Sequence, residues 1–130
     1  MKFDEFVGQV QNRARLASEG QAFDAIKATL TVLGQRLAGG EAEDIAAQLP
    51  SQLQEYLLKE GYQDSFGVQE FFQRVSKLEK VDLPESVHHT RAVISVLRDA
   101  ISPGEYADML DQLPDEYKPL FEGQPEGEMA

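Results

Sequence analysis

The chain has 130 residues, of which 42% are apolar and 27% charged, and its formal net charge is −11. These values are typical of a single soluble globular domain, and the negative charge argues against binding to nucleic acid or to an anionic membrane surface. Cysteine is absent, which excludes disulfides and thiolate chemistry. Neither a signal-peptide pattern nor a run of about 18 apolar residues is present, so we expect a cytoplasmic protein without a membrane span.

Amphipathic helix patterns follow one another in the first half of the chain. The first helix begins near Asp4, a good N-cap residue. The second begins after Ser18, carries apolar residues at alternating spacings of three and four, and ends before Gly40. A short third helix ends at Pro50, because the residue before proline avoids the helical conformation. Residues 51–58 form a fourth helix.

The second half of the chain repeats the first. With a shift of 64 positions, residues 28–57 align without a gap with residues 92–121. With a shift of 65, residues 3–10 align with residues 68–75. Both copies contain Gly-Glu-x-x-Asp followed by Gln-Leu-Pro. A repeated supersecondary unit explains this order, so the second half is predicted to form the same helices. Asp82 takes the capping position that Ser18 has in the first copy, and a turn or a shorter helix is expected where Pro119 interrupts the last helix.

The predicted fold class is therefore all-α, with two tandem copies of a three- to four-helix unit. Residues 1–122 form one helical domain made of repeat one, about residues 3–59, and repeat two, about residues 66–121. One repeat alone would be marginally stable, so we expect the two to share a core about an approximate two-fold axis. Residues 123–130 are polar and rich in glycine, and they are predicted to be a disordered tail.

A resemblance to a known family rests on three stretches: FDEFVGQV (3–10), LGQRLAGGEAEDIAAQLP (33–50) and VLRDAISPGEYADMLDQLPDEYKPLF (96–121). They resemble the small bacterial family catalogued as domain of unknown function 2267. The resemblance covers residues 3–121 and implies a small, soluble, all-helical protein. It implies no activity, so the function has to be argued from the residues themselves.

A metal site is one hypothesis for the two histidines. His88 and His89 are the only histidines, and Glu85 precedes His88 by three residues. A Glu-x-x-His motif on one helix face contributes ligands in carboxylate-bridged helical bundles. The first repeat has Asp24 and Ala25 at the matching positions, so a single chain offers too few ligands. We therefore predict no metal site, and expect a capping glutamate and two exposed histidines.

Two carboxylate pairs occupy the same place in the two repeats. Glu41 with Asp44, and Glu105 with Asp108, lie in the first turn of a predicted helix, where the helix dipole favours negative charge. We expect a structural role for both pairs rather than acid–base catalysis. Together with the Gln-Leu-Pro segments they form the surface to test first for a partner. The candidate interaction residues are Gly40, Glu41, Asp44, Leu49, Pro50, Gly104, Glu105, Asp108, Leu113 and Pro114.

No catalytic motif is present: the chain lacks a nucleophile elbow, a phosphate-binding loop and a calcium-binding loop. The preferred hypothesis is a non-enzymatic helical module that binds another protein. One alternative is a protein that binds a metal or a small ligand through Glu85, His88 and the duplicated carboxylates. This alternative includes an enzyme. Another is a self-associating structural protein, for example a homodimer. We predict no catalytic residue, no cofactor, and neither a nucleic-acid nor a membrane partner.

Overall fold

The computed structural model describes residues 1–122, and this part of the chain is helical, with no strand. The all-α prediction is therefore confirmed. The tail predicted over residues 123–130 lies outside the described residues. No helix within residues 1–122 combines the length and apolarity needed to cross a bilayer. In chain order, the helices are α1 (Phe3–Ala14), α2 (Glu19–Arg36), α3 (Glu41–Ala46), α4 (Ser51–Leu58), α5 (Val68–Glu79), α6 (Leu83–Ala100), α7 (Pro103–Asp111) and α8 (Lys118–Glu122), the last preceded by a 3-10 turn at Asp115–Tyr117.

Polar caps begin the two long helices, as predicted. Before α2, Ser18 Oγ accepts a hydrogen bond of 3.1 Å from the Gln21 N–H, and Asp82 makes the equivalent bond of 2.9 Å before α6. The prediction that Asp4 caps the first helix is wrong, because α1 begins one residue earlier and Asp4 lies in its first turn. There the negative charge still stabilises the helix through the helix dipole.

The last helix of the second half is shorter than its counterpart in the first. The segment after Pro114 forms the 3-10 turn and then α8, which has 5 residues against the 8 residues of α4. The shorter helix predicted from Pro119 is therefore confirmed.

The second half of α2 lies at the centre of the fold. Residues 28–37 are all buried, and α2 packs against α1, α4, α5 and α6. A helix that is covered on every side is usually apolar around most of its circumference. The stretch ATLTVLGQRL buries four polar residues, Thr29, Thr31, Gln35 and Arg36, and it supplies Leu30, Val32, Leu33 and Leu37 to the core. The burial of these side chains supplies the main driving force for folding, at roughly 25 cal/mol for each Å² of apolar surface removed from water.

Arg36 is the charged residue of this buried stretch, and its partners connect distant parts of the chain. Its Nε donates a hydrogen bond of 2.7 Å to the Phe66 carbonyl oxygen, which also accepts one of 2.8 Å from the Tyr117 hydroxyl. The guanidinium carbon lies 5.4 Å from the centroid of the Tyr117 ring. The loop before α5 and the 3-10 turn before α8 are therefore both fixed to the end of α2.

The closest approach between α2 and α4 occurs at Gly34. A Cβ atom at this position would lie 2.1 Å from the Leu57 carbonyl oxygen. Backbone atoms cannot move away as a flexible side chain can, so only glycine allows α4 to pack at this distance. The sequence motif Leu-Gly-Gln-Arg thus contains a glycine for a packing reason, in the middle of a helix where glycine is otherwise unfavourable.

We predict that Gly34→Ala destabilises the protein by about 1–3 kcal/mol, because α4 has to move away from α2. Gly8→Ala is the matched control, since Gly8 is exposed in α1 and an added Cβ atom would meet nothing within 4 Å. The control should be stabilised by roughly 0.5–1 kcal/mol, the usual gain from alanine in a helix. Urea unfolding of both variants measures the difference; equal stabilities would contradict the packing argument.

Candidate functional site

Two glutamines bring α3 and α7 together. Gln112 exchanges two hydrogen bonds with the backbone of Ala38, at 2.9 and 3.0 Å. Gln48 contacts Ser102 in the same way: its Oε1 accepts from the Ser102 N–H at 2.7 Å, and its Nε2 donates to the Ser102 hydroxyl at 3.4 Å. Each glutamine of a Gln-Leu-Pro segment thus binds the turn that precedes the short helix of the other half. The duplicated carboxylates consequently face one another.

We call Glu41, Asp44, Glu105 and Asp108 the carboxylate junction. One oxygen from each of the first three lies within 4.8 Å of the others. Glu41 is only 7% exposed. Its Oε1 and the Oε2 of Glu105 are buried, and within the described part of the chain no donor reaches either atom. A direct hydrogen bond between these two carboxyl groups therefore requires a proton on one of them.

This environment raises the pKa of Glu41 from 4.5 to about 7. Burial is the largest cause, because it disfavours the charged form. The hydrogen bond with Glu105 and the charge of Glu105 follow, and the charges of Asp108 and Asp44 add to them. Near neutral pH the junction therefore exchanges a proton readily.

The sequence places each carboxylate pair correctly in the first turn of a short helix, but it treats the two pairs as separate features. The structure brings Glu41, Asp44 and Glu105 into one group. The predicted two-fold arrangement of the two copies is the signal that could have suggested this, because equivalent residues meet one another close to such an axis. The dipole argument still applies to each helix, yet it does not explain why a buried glutamate lies beside a second one.

The remaining candidate interaction residues differ in how exposed they are. Leu49 is buried and belongs to the core, whereas Pro50 and Leu113 are partly buried. Gly40, Gly104 and Pro114 are exposed. The surface formed by the two corners is thus made mainly of turns and of the outer carboxylates.

The structure places the histidines of the metal hypothesis apart from the junction and gives each a protein partner. The expectation that both are exposed is wrong, because His88 is partly buried and His89 is buried. The Nε2 of His88 donates to the Ala14 carbonyl oxygen at 3.0 Å, and the Nδ1 of His89 donates to the Glu79 carboxylate at 2.5 Å. Glu85 is exposed at the start of α6. Among the described residues, Glu85, His88 and His89 do not form a group of three ligands.

A basic groove is the feature that sequence reasoning missed. Lys27, Lys59 and Lys80 line a hollow of about 480 Å³ between α2, the end of α4 and the end of α5. Leu78, which is 49% exposed, also borders a neighbouring hollow of about 290 Å³ that Lys77 lines. We call these two hollows the lysine groove. Its lysines are far apart in sequence, so no basic run could have indicated it.

Most of the positive charge in the lysine groove is not neutralised. Lys27 lies 3.4 Å from a carboxylate oxygen of Asp24 and over the Phe23 ring. Lys59 lies over the Tyr56 ring. Within residues 1–121, the side chains of Lys59, Lys77 and Lys80 form no ion pair. Five basic side chains line the groove against three acidic ones, Asp24, Glu60 and Glu79. The groove therefore carries an excess of positive charge, although the chain as a whole is strongly negative.

Comparison with protein families identifies the chain. The family model described as "Uncharacterized conserved protein (DUF2267)" matches residues 3–120. The chain belongs to this family. No curated protein matches the chain. Membership in DUF2267 agrees with the resemblance seen in the sequence and carries no activity with it, so the function of this member has to be inferred from its two charged sites.

The raised pKa of Glu41 predicts a stability difference that depends on pH. A carboxyl group with a higher pKa in the folded state stabilises that state below pH 4.5, and this contribution is lost as the pH rises towards about 7. In the Glu41→Gln variant, the side chain at position 41 is neutral at every pH, so this loss does not occur. We expect the variant to gain stability relative to the wild type between pH 4.5 and 7, as measured by urea unfolding at several pH values. A difference that stays constant over this range would contradict the assignment.

Proposed function

We propose that this DUF2267 member is a non-enzymatic helical module that binds an acidic segment of another protein in the lysine groove. The observation that carries the proposal is the convergence of five of the twelve Lys and Arg residues on one groove in a chain with a net charge of −11. These residues are Lys27, Lys59, Arg74, Lys77 and Lys80. Charge complementarity of this kind steers association and favours acidic partners.

An apolar contact at the centre of the lysine groove supports a protein partner. Leu78 is about half exposed, and Tyr56 and Ala28 line the hollow beside it. Protein interfaces commonly combine an apolar centre with a polar or charged rim. A segment that alternates acidic and apolar side chains would place the apolar ones on Leu78 and the acidic ones near the lysines.

The shape of the groove favours an extended segment over a compact small molecule. Both hollows are open to solvent, and they meet at Leu78 rather than at a closed end. Small-molecule sites usually enclose most of the surface of their ligand. A chain segment that lies across Leu78 can use both hollows, and it can reach Lys77 on one side and Lys59 or Lys80 on the other.

We also propose that the two repeats pack about an approximate two-fold axis. The reciprocal bonds of Gln48 with Ser102 and of Gln112 with Ala38 support this arrangement, because both pairs of equivalent residues differ by 64 positions. The cytoplasm is the proposed location, since a chain without cysteine needs no oxidising compartment for its folding.

Self-association is a second candidate, favoured by the separation of charge within the chain. Residues 37–58 and 99–117 contain Asp and Glu but neither Lys nor Arg, and they include α3 and α7. This acidic surface of one copy complements the lysine groove of another. Such a contact joins two different surfaces, so it would produce rings or open chains of molecules. Light scattering at low and raised salt distinguishes this outcome from binding to a different protein.

The proposal predicts that the double variant Lys59→Glu/Lys80→Glu loses its partner. Wild type, this variant and the control Lys2→Glu/Lys118→Glu, which makes the same charge change at exposed sites outside the groove, are used to capture proteins from one native lysate. Quantitative mass spectrometry should show a protein that wild type and control retain and that the groove variant binds at least ten-fold less. Equal retention by both variants, or no retained protein together with a monomeric chain, would contradict the proposal.

A further inference from the structure

We infer that the carboxylate junction is a binding site for one divalent cation of the hard, oxygen-binding class, with Glu41, Asp44 and Glu105 as its protein ligands. This site shares no residue with the lysine groove, so the inference does not depend on the proposed function.

The first argument is that a buried carboxyl group has no hydrogen-bond donor for its charged form. Glu41 is 93% buried, as its exposure of 7% shows, and no hydrogen-bond donor of the described residues reaches its Oε1. The Oε2 of Glu105 is buried and unpaired as well. Buried charges are normally paired or bound to a metal, because an unpaired one is costly. The glutamines that hold α3 beside α7 nevertheless keep these two groups together. A cation would pair both at once.

The second argument is the size of the group. The three ligand oxygens lie within 4.8 Å of one another. Ca²⁺ binds oxygen at roughly 2.3–2.6 Å, so two of its ligands can be up to about 4.6–5.2 Å apart on opposite sides of the ion. Three ligands spaced equally around such an ion would lie roughly 4.0–4.5 Å apart. The group is close to this size, so small side-chain rotations are enough to bring all three oxygens into contact with one ion. Mg²⁺, with shorter bonds of about 2.0–2.1 Å, requires a tighter group and is expected to bind less well.

The third argument is charge. Glu41, Asp44 and Glu105 supply three carboxylates, and Asp108 adds a fourth negative charge that acts on Glu41. Within residues 1–121, none of these four groups forms an ion pair with Lys or Arg. Carboxylate oxygens are the ligands that Ca²⁺ and Mn²⁺ prefer. Three such ligands leave several coordination positions to water, so we expect a dissociation constant on the order of 10⁻⁴–10⁻³ M.

The position of the site gives cation binding a structural consequence. Glu41 and Asp44 belong to α3, and Glu105 belongs to α7. A bound ion would therefore join the two halves of the chain directly.

Thermal unfolding of the full chain with CaCl2 or MnCl2 tests this inference at constant ionic strength. We expect the unfolding temperature to rise with either salt. Glu43→Gln is the matched control: it removes one charge from an exposed residue of the same helix and should respond like the wild type. Glu41→Gln and Glu105→Gln should bind the cation at least ten-fold more weakly.

Electron paramagnetic resonance of free Mn²⁺ provides the stoichiometry. One bound ion per chain, displaced by Ca²⁺, is the expected result for wild type and for Glu43→Gln. If Glu41→Gln does not fold, Asp44→Asn serves as the second ligand variant, since Asp44 is exposed and its loss leaves the core intact. Two results would overturn the inference. One is the absence of bound Mn²⁺ at a Mn²⁺ concentration of about ten times the expected dissociation constant. The other is equal binding by the ligand variants and the control.

Discussion

The close approach of α4 to α2 at Gly34 is the constraint on which the rest of the structure depends. It allows residues 28–37 to be covered on all sides, so that α2 becomes the axis of the core. Because the end of α2 is fixed, the turn that follows it is fixed too, and this turn starts α3. The same helix carries Lys27 and Thr31 on the side that faces the lysine groove. Both charged sites therefore take their geometry from one buried helix.

The junction between α3 and α7 combines favourable and unfavourable interactions. The side-chain amides of Gln48 and Gln112 hold the two short helices in place through hydrogen bonds between neutral groups. The carboxylates that they bring together repel one another, and burial increases this cost. Unfavourable arrangements of titratable groups are common at binding sites, where a ligand relieves them. This contrast within a few residues distinguishes the junction from an ordinary acidic surface.

Local features of the fold and the residues of the junction could be predicted from the sequence, whereas the meeting of the two carboxylate pairs and the lysine groove could not. Ser18 and Asp82 were predicted as caps because capping depends on three or four neighbouring residues. Asp4 misled the prediction because this suitable capping residue lies two positions after the actual N-cap, Lys2. The burial of Glu41 depends on a contact with residues about 64 positions away, and the lysine groove joins side chains from three helices. Such contacts follow from packing, which helix periodicity alone does not determine.

An anomalous difference map from crystals soaked in MnCl2 tests the central claim, that the junction is built to hold a cation. The account predicts one peak between α3 and α7, at roughly 2.1–2.6 Å from carboxylate oxygens of Glu41 and Glu105. A map without a peak at this position, and with the Glu41 and Glu105 carboxyl groups in hydrogen-bond contact, would contradict it. The junction would then hold a proton alone.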